Sequence, residues 1–163
     1  PALVSNYLGF LSNAFIINQV KRYDIYGRKI FDTNEKYYFE DIGLRNSLAG
    51  INLRRDIEKI LENAVYLHLK KYGYKVFIGQ LQNAEIDFVA EKDGQRLYIQ
   101  VCYLLESDDT IEREFGNLRK IKDNFPKMVV CMDEIAVHGA YDGIQCIHIK
   151  DFLGSDKRIN KTI

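Results

Sequence analysis

The chain predicts an α/β fold built on a mixed sheet, and three observations carry that expectation. After Gly50 the pattern runs helix, three strands, helix, two strands. The three consecutive strands are joined by short connections, one of them through Asp93-Gly94, so they read as an antiparallel meander. An amphipathic segment then leads to the apolar run Met128–Met132, MVVCM, so a crossover helix should lay the fourth strand parallel to the third.

The elements follow in order. Leu3, Tyr7, Leu8 and Leu11 recur at helical spacing over Leu3–Ser12. Phe15–Val20, FIINQV, reads as a strand. Tyr26-Gly27 reads as the turn of a hairpin whose return strand holds Ile30 and Phe31. A helix followed by a hairpin is the second half of a winged helix. Residues 1–49 are therefore expected to be a partial winged-helix segment with a connector, and residues 50–163 a second domain. The chain opens on Pro1 and runs directly into helical pattern, as expected of a fragment excised from a longer protein. Lys21, Arg22, Arg28 and Lys29 flank the turn and are candidate contacts to nucleic-acid phosphates. The same charges also suit a solvated hairpin edge. Asn34–Gly50 reads as a connector with a short helix over Ile42–Leu48, sealed onto a neighbour by Tyr37, Tyr38 and Phe39.

Leu53–Tyr72 is the longest predicted helix, with Ile57, Ile60, Leu61, Ala64, Val65, His68 and Leu69 on a broad apolar face. Lys70 and Lys71 suit its negative end, and Gly73 stops it. Strands follow over Lys75–Gly79, Glu85–Ala90 and Arg96–Tyr103. The next helix spans Thr110–Asp123, with Asp109 as its cap, Glu112 three residues on, and Ile111, Phe115, Leu118 and Ile121 as its buried stripe. Ile144–Ile149 reads as a further strand and Phe152-Leu153 as a short terminal helix.

Bulk composition excludes several classes. The 23 basic and 23 acidic residues cancel, so no bulk charge attracts nucleic acid and any such contact needs a local patch. Cys102, Cys131 and Cys146 lie in apolar runs without a CxxC pair and read as reduced core thiols, which fits a cytoplasmic setting. No apolar run has the length of a membrane helix and no signal peptide is visible, so no membrane partner is expected. His68, His138 and His148 are scattered and read as core or surface residues.

Polar positions on consecutive elements form the candidate site. Glu62 lies on the long helix, Asp87 on the second strand of the meander with Glu85 two residues before it, and Gln100 on the third. A hard divalent ion, Mg²⁺ or Mn²⁺, takes oxygen ligands; Asp87, Gln100 and the carbonyl of Val101 offer them, with Glu62 in support. This layout resembles the PD-(D/E)XK nuclease superfamily, which is restriction-endonuclease-like in fold with an α-β-β-β-α-β core. The resemblance implies that Glu62 matches the helix acid, Asp87 the strand Asp, and Gln100 the third-strand acid or its tolerated Gln. The family's Lys falls on Cys102, and a thiol of ordinary pKa does not replace an ammonium. Lys120 and Lys122 are the candidate displaced lysines. Taken together, KYYFEDIGLRN, ENAVYLHL, GYKVFIG, EIDFVA and YIQV also resemble the uncharacterised C-terminal module of bacterial and archaeal AAA-type ATPases. That resemblance implies an upstream ATPase module as partner in the same chain. Any ATP site belongs to that module, since no GxxxxGK[ST] occurs here.

Three functions follow as expectations. The first is an accessory nuclease-like domain of an ATPase, catalytically weak or inactive, that recognises a substrate or partner such as DNA or protein. The second is an active Mg²⁺-dependent nuclease with a displaced Lys. The third is a protein-binding module.

Overall fold

The computed structural model describes residues 2–50, 52–134 and 141–154. Seven strands form one mixed sheet in the order β2-β1-β3-β4-β5-β6-β7. Helix α1 (Ala2–Asn13) leads into strands β1 (Ile17–Asp24) and β2 (Lys29–Phe39), then helices α2 (Ile42–Ala49) and α3 (Leu53–Lys71). The meander is β3 (Lys75–Leu81), β4 (Ala84–Lys92) and β5 (Gln95–Val101), antiparallel throughout. Helix α4 (Asp108–Arg119) crosses to β6 (Lys127–Cys131), parallel to β5, and β7 (Gln145–His148) lies parallel to β6 before helix α5 (Ile149–Gly154). The α/β class and the mixed sheet are as expected from the sequence.

The N-terminal hairpin departs most from the sequence reading. It forms, with Asp24 Oδ1 accepting the N–H groups of Tyr26 and Gly27 at its turn. It does not stand off as a separate wing, however, because Arg22, Tyr23 and Asp24 of β1 pair in parallel with Ile78, Gly79 and Gln80 of β3. The boundary expected at residues 49–50 thus falls between elements that share one sheet. Tyr37, Tyr38 and Phe39 belong to a strand, not to a connector, because β1 begins at Ile17 and needs a partner there: Ile17 pairs with Phe39 and Val20 with Lys36. Beyond Lys36 the ladder breaks, and Arg22 pairs with Phe31, so Asp32–Glu35 all face Lys21 across a wide irregularity. The predicted apolar stripe of α1 is only partly covered; Leu3 and Tyr7 are 66% and 60% exposed, Leu11 is 38% exposed, and Leu8 is half-buried.

Smaller corrections concern helix ends. The cap of α4 is Ser107, whose Oγ accepts from the Thr110 N–H at 3.2 Å, rather than Asp109. The helix stops at Arg119, four residues short of Asp123. Between β4 and β5, Asp93 and Gly94 both have positive φ, as the tight hairpin turn requires.

Two apolar layers enclose the sheet. In one, Val65 and Leu69 of α3 pack with Ile78, Phe88, Ile99, Val130 and Phe152. In the other, Phe115 and Leu118 of α4 pack with Phe77, Ile86, Val89, Tyr98 and Val129. Strand β4 changes face on the way, since Ile86 belongs to the α4 layer but Phe88 to the α3 layer. The pairing explains this: Gly79 faces Ile86 and Phe77 faces Val89, so Asp87 and Phe88 together oppose Ile78 in a β-bulge. Gly79 is required at this place, because a Cβ there would lie 2.8 Å from Ile86 Cβ and 3.0 Å from both Ile25 Cδ1 and Val89 Cγ2. The bulge sets the position of Asp87.

Candidate functional site

The site is assembled by one clasp between β2 and α3. Asn63, buried on α3, accepts the Phe39 N–H on Oδ1 and donates Nδ2 to the Phe39 carbonyl, both at 2.8 Å. The pair of bonds fixes strand against helix. Tyr38 packs its ring on Tyr66 at 4.8 Å and donates its hydroxyl to Glu62 Oε2 at 3.2 Å. Lys36, two residues before Tyr38 on the same face of the strand, then enters the carboxylate group.

Its ammonium lies 2.7 Å from Glu85 Oε1, 3.2 Å from Glu62 Oε2 and 3.9 Å from Asp87 Oδ1. Arg22 closes the group from β1, pairing with Glu85 and touching Gln80 Oε1 at 3.2 Å. Asp87 Oδ2 accepts the Val101 N–H at 2.8 Å, and the Asp87 N–H reaches Gln100 Oε1 at 3.3 Å. Two cations thus face three carboxylates, and a proton on Asp87 makes the group neutral.

The electrostatics agree with that count. Burial, together with the charge of Glu62, pushes the Asp87 carboxyl well up from the ordinary carboxylate range, against the Val101 N–H and Lys36. Burial disfavours the charge on Lys36 too, but Glu62, Glu85 and Asp87 outweigh it and hold the ammonium above the ordinary lysine value. For Glu85, burial is outweighed by the bonds from Lys36 and Arg22, and its carboxyl is held down. Burial and the nearby carboxylates push the Tyr38 hydroxyl up, so it remains a donor to Glu62.

The residues singled out in sequence fall in different places. Glu62 and Asp87 meet through Lys36. Gln100 reaches Asp87 only at its backbone; Leu97, Ile99 and Val101 face the α3 layer while Tyr98 and Cys102 face the α4 layer, and Gln100 alternates with the first set. Val101 contributes its N–H, not its carbonyl. Cys102 is buried beside Cys131 and Glu114, and the Cys131 thiol, burial and Glu114 all push its thiol up, so it stays neutral. Lys120 and Lys122 lie past the end of α4: Lys120 donates to Asn117 Oδ1 at 3.0 Å, and Lys122 lines a cavity with Arg28. Of the hairpin cations, Arg22 is engaged at Glu85, Lys21 pairs with exposed Asp32 at 2.5 Å, and Arg28 and Lys29 are exposed. His68 packs between Tyr72 and Phe152, His148 Nδ1 accepts the Lys150 N–H, and His138 lies outside the described residues. Lys36 and Asn63 were not singled out. The signal for Lys36 is KYYFE read as a strand, whose alternation puts Lys36 and Tyr38 on one face.

The donor set, as placed, does not fit a divalent ion. Among the described residues no three His, Cys, Asp or Glu side chains are grouped to hold a metal. Glu62 Oε2 already receives Tyr38 and Lys36, Asp87 Oδ2 receives Val101, and Gln100 Oε1 faces an N–H. The ammonium of Lys36 takes the central position among the carboxylates. Among the described residues no helix is long and apolar enough to cross a membrane.

The chain is 37% identical over 150 residues to an uncharacterised protein of Haemophilus influenzae, a match that takes in 92% of this chain and 36% of that protein. The chain therefore spans about a third of the length of the relative it matches. No family model matches the chain, and no solved structure matches it.

Proposed function

We propose that this chain is a restriction-endonuclease-like accessory domain of an AAA-type ATPase that recognises a substrate or partner and is catalytically weak or inactive. The observation that carries this reading is the Lys36 ammonium held among Glu62, Glu85 and Asp87. A nuclease site of this type uses its carboxylates to bind Mg²⁺; here they are neutralised from within by Lys36 and Arg22. The helix–meander–helix–strand order from α3 to β6 supports the fold, and the buried neutral thiol of Cys102 supports the loss of activity. A relative about two and a half times as long supports placement in a larger protein. Recognition then falls to surfaces outside the carboxylate group, among them the exposed apolar side chains of α1. The test is incubation with single- and double-stranded DNA and RNA in Mg²⁺ or Mn²⁺. No cleavage above an Asp87→Ala control is expected; strong cleavage abolished by Asp87→Ala overturns the reading.

A second reading rests on the same lysine. In an active Mg²⁺-dependent nuclease, Lys36 is the displaced Lys, delivered from β2 to the carboxylates in place of Cys102. It requires Lys36 to leave Glu62 and Glu85 when the ion binds. Cleavage lost in both Asp87→Ala and Lys36→Ala favours it over the first.

A further inference from the structure

A second polar site lies away from the carboxylate group, where the β1–β2 turn meets the segment after α4. Ile25, Tyr26 and Arg28 from the turn, with Arg96, Ile121, Lys122, Asp123 and Phe125, line an open cavity of about 440 Å³. Its charge is not balanced. Arg96 is paired with Glu91 and also donates to the Tyr23 hydroxyl at 2.9 Å. Asp123 accepts from Tyr98 and lies 3.7 Å from the Lys127 ammonium. Arg28 and Lys122 have no ion-pair partner among the described residues, so two positive charges face the cavity uncompensated.

The walls add an aromatic element. Tyr26 is half exposed, yet its hydroxyl donates to the Lys120 carbonyl at 2.8 Å, which holds the ring as a fixed shelf. Phe125 also lines the cavity, with the Arg96 guanidinium over its ring, 5.5 Å from the ring centre. The volume is that of a small organic ligand rather than a bare anion. A planar base has rings to lie against, and a phosphate has Arg28 and Lys122.

We infer that this cavity binds a nucleoside phosphate, with the base against Tyr26 and Phe125 and the phosphate on Arg28 and Lys122. The ligand is either a free nucleotide or the 5′-phosphorylated end of a single strand, which share that chemistry. The inference is independent of the carboxylate group and stands whether or not the domain cleaves nucleic acid.

Calorimetry on the chain tests it, with a nucleoside monophosphate, inorganic phosphate, and a short single-stranded oligonucleotide with or without a 5′-phosphate. Binding of the nucleotide or of the phosphorylated oligonucleotide is expected, and the stronger of the two names the source. The affinity should fall at least tenfold in Arg28→Glu and in Lys122→Glu, and fall less in Tyr26→Phe, which keeps the ring but loses its bond to the Lys120 carbonyl, than in Tyr26→Ala. It should be unchanged in Lys150→Glu, an exposed cation of α5 that does not line the cavity. Thermal melting of each variant separates lost binding from lost folding. No binding, inorganic phosphate bound as tightly as the nucleotide, or full affinity in a folded Arg28→Glu/Lys122→Glu double variant overturns the assignment.

Discussion

Replacing Lys36 by alanine removes the cation that three carboxylates share. Glu85 keeps Arg22, but Glu62 and Asp87 lose their ammonium. Removing one partner of a fully buried ion pair costs about 3–5 kcal/mol. The Lys36 and Glu62 side chains are 28% and 18% exposed, so water screens part of this and about 2–3 kcal/mol is expected. In a chain of this size that lowers Tm by roughly 4–12 °C. The pH dependence identifies the cause. In the intact protein the raised pKa of Lys36 means that its contribution is full below the unfolded lysine value and is lost only as pH rises through the folded one, above about 10. In the Lys36→Ala variant the strain is carboxylate repulsion, which protonation relieves. Melting curves of both proteins from pH 4 to pH 8 should converge toward the acid end. A loss equally large at pH 4 and pH 7, or no loss at pH 7, refutes this account of the group.

Three further outcomes are expected. Gly79→Ala should cost about 1–3 kcal/mol by denaturant unfolding, since its Cβ would press on Ile86, Ile25 and Val89 at the bulge that sets Asp87. Asn63→Ala should cost about 2–3 kcal/mol and loosen the end of β2, read as faster amide exchange at Phe39. Asp87→Asn should be at least as stable as the natural protein at pH 7, with the gain shrinking on acidification. The folded carboxyl holds its proton more tightly than the unfolded one, so Asp87 favours folding below the unfolded pKa, near 4, and loses that contribution as pH rises through its raised folded value.

The parts of the fold written in local pattern were legible. Asp93-Gly94 with flanking alternation gave the meander, and the stripe Ile111, Phe115, Leu118 gave the crossover helix that makes β6 parallel to β5. Pairing between distant segments was not. Nothing within RYDIYGRKIFD shows that Arg22 will lie beside Ile78, 56 positions on, because that contact is settled by burial of Tyr23 and Ile25 over Phe77 and Leu81. The irregularity opposite Lys21 hid the length of β2, and with it the approach of Lys36 to the carboxylates. The bulge at Asp87 was equally hidden, since AEIDFVA reads as simple alternation although Ile86 and Phe88 end in different layers. Glu62, Asp87 and Cys102 could be found as residues; the cation among the carboxylates could not, because it depends on three elements meeting.

The most direct measurement is a calorimetric titration of Mn²⁺ into the natural protein, Lys36→Ala, and Lys36→Ala/Asp87→Ala. The expected result is no binding heat in the natural protein, a signal on removal of the ammonium, and its loss when Asp87 goes as well. Mn²⁺ binding by the natural protein that depends on Asp87 would contradict a carboxylate group closed by Lys36.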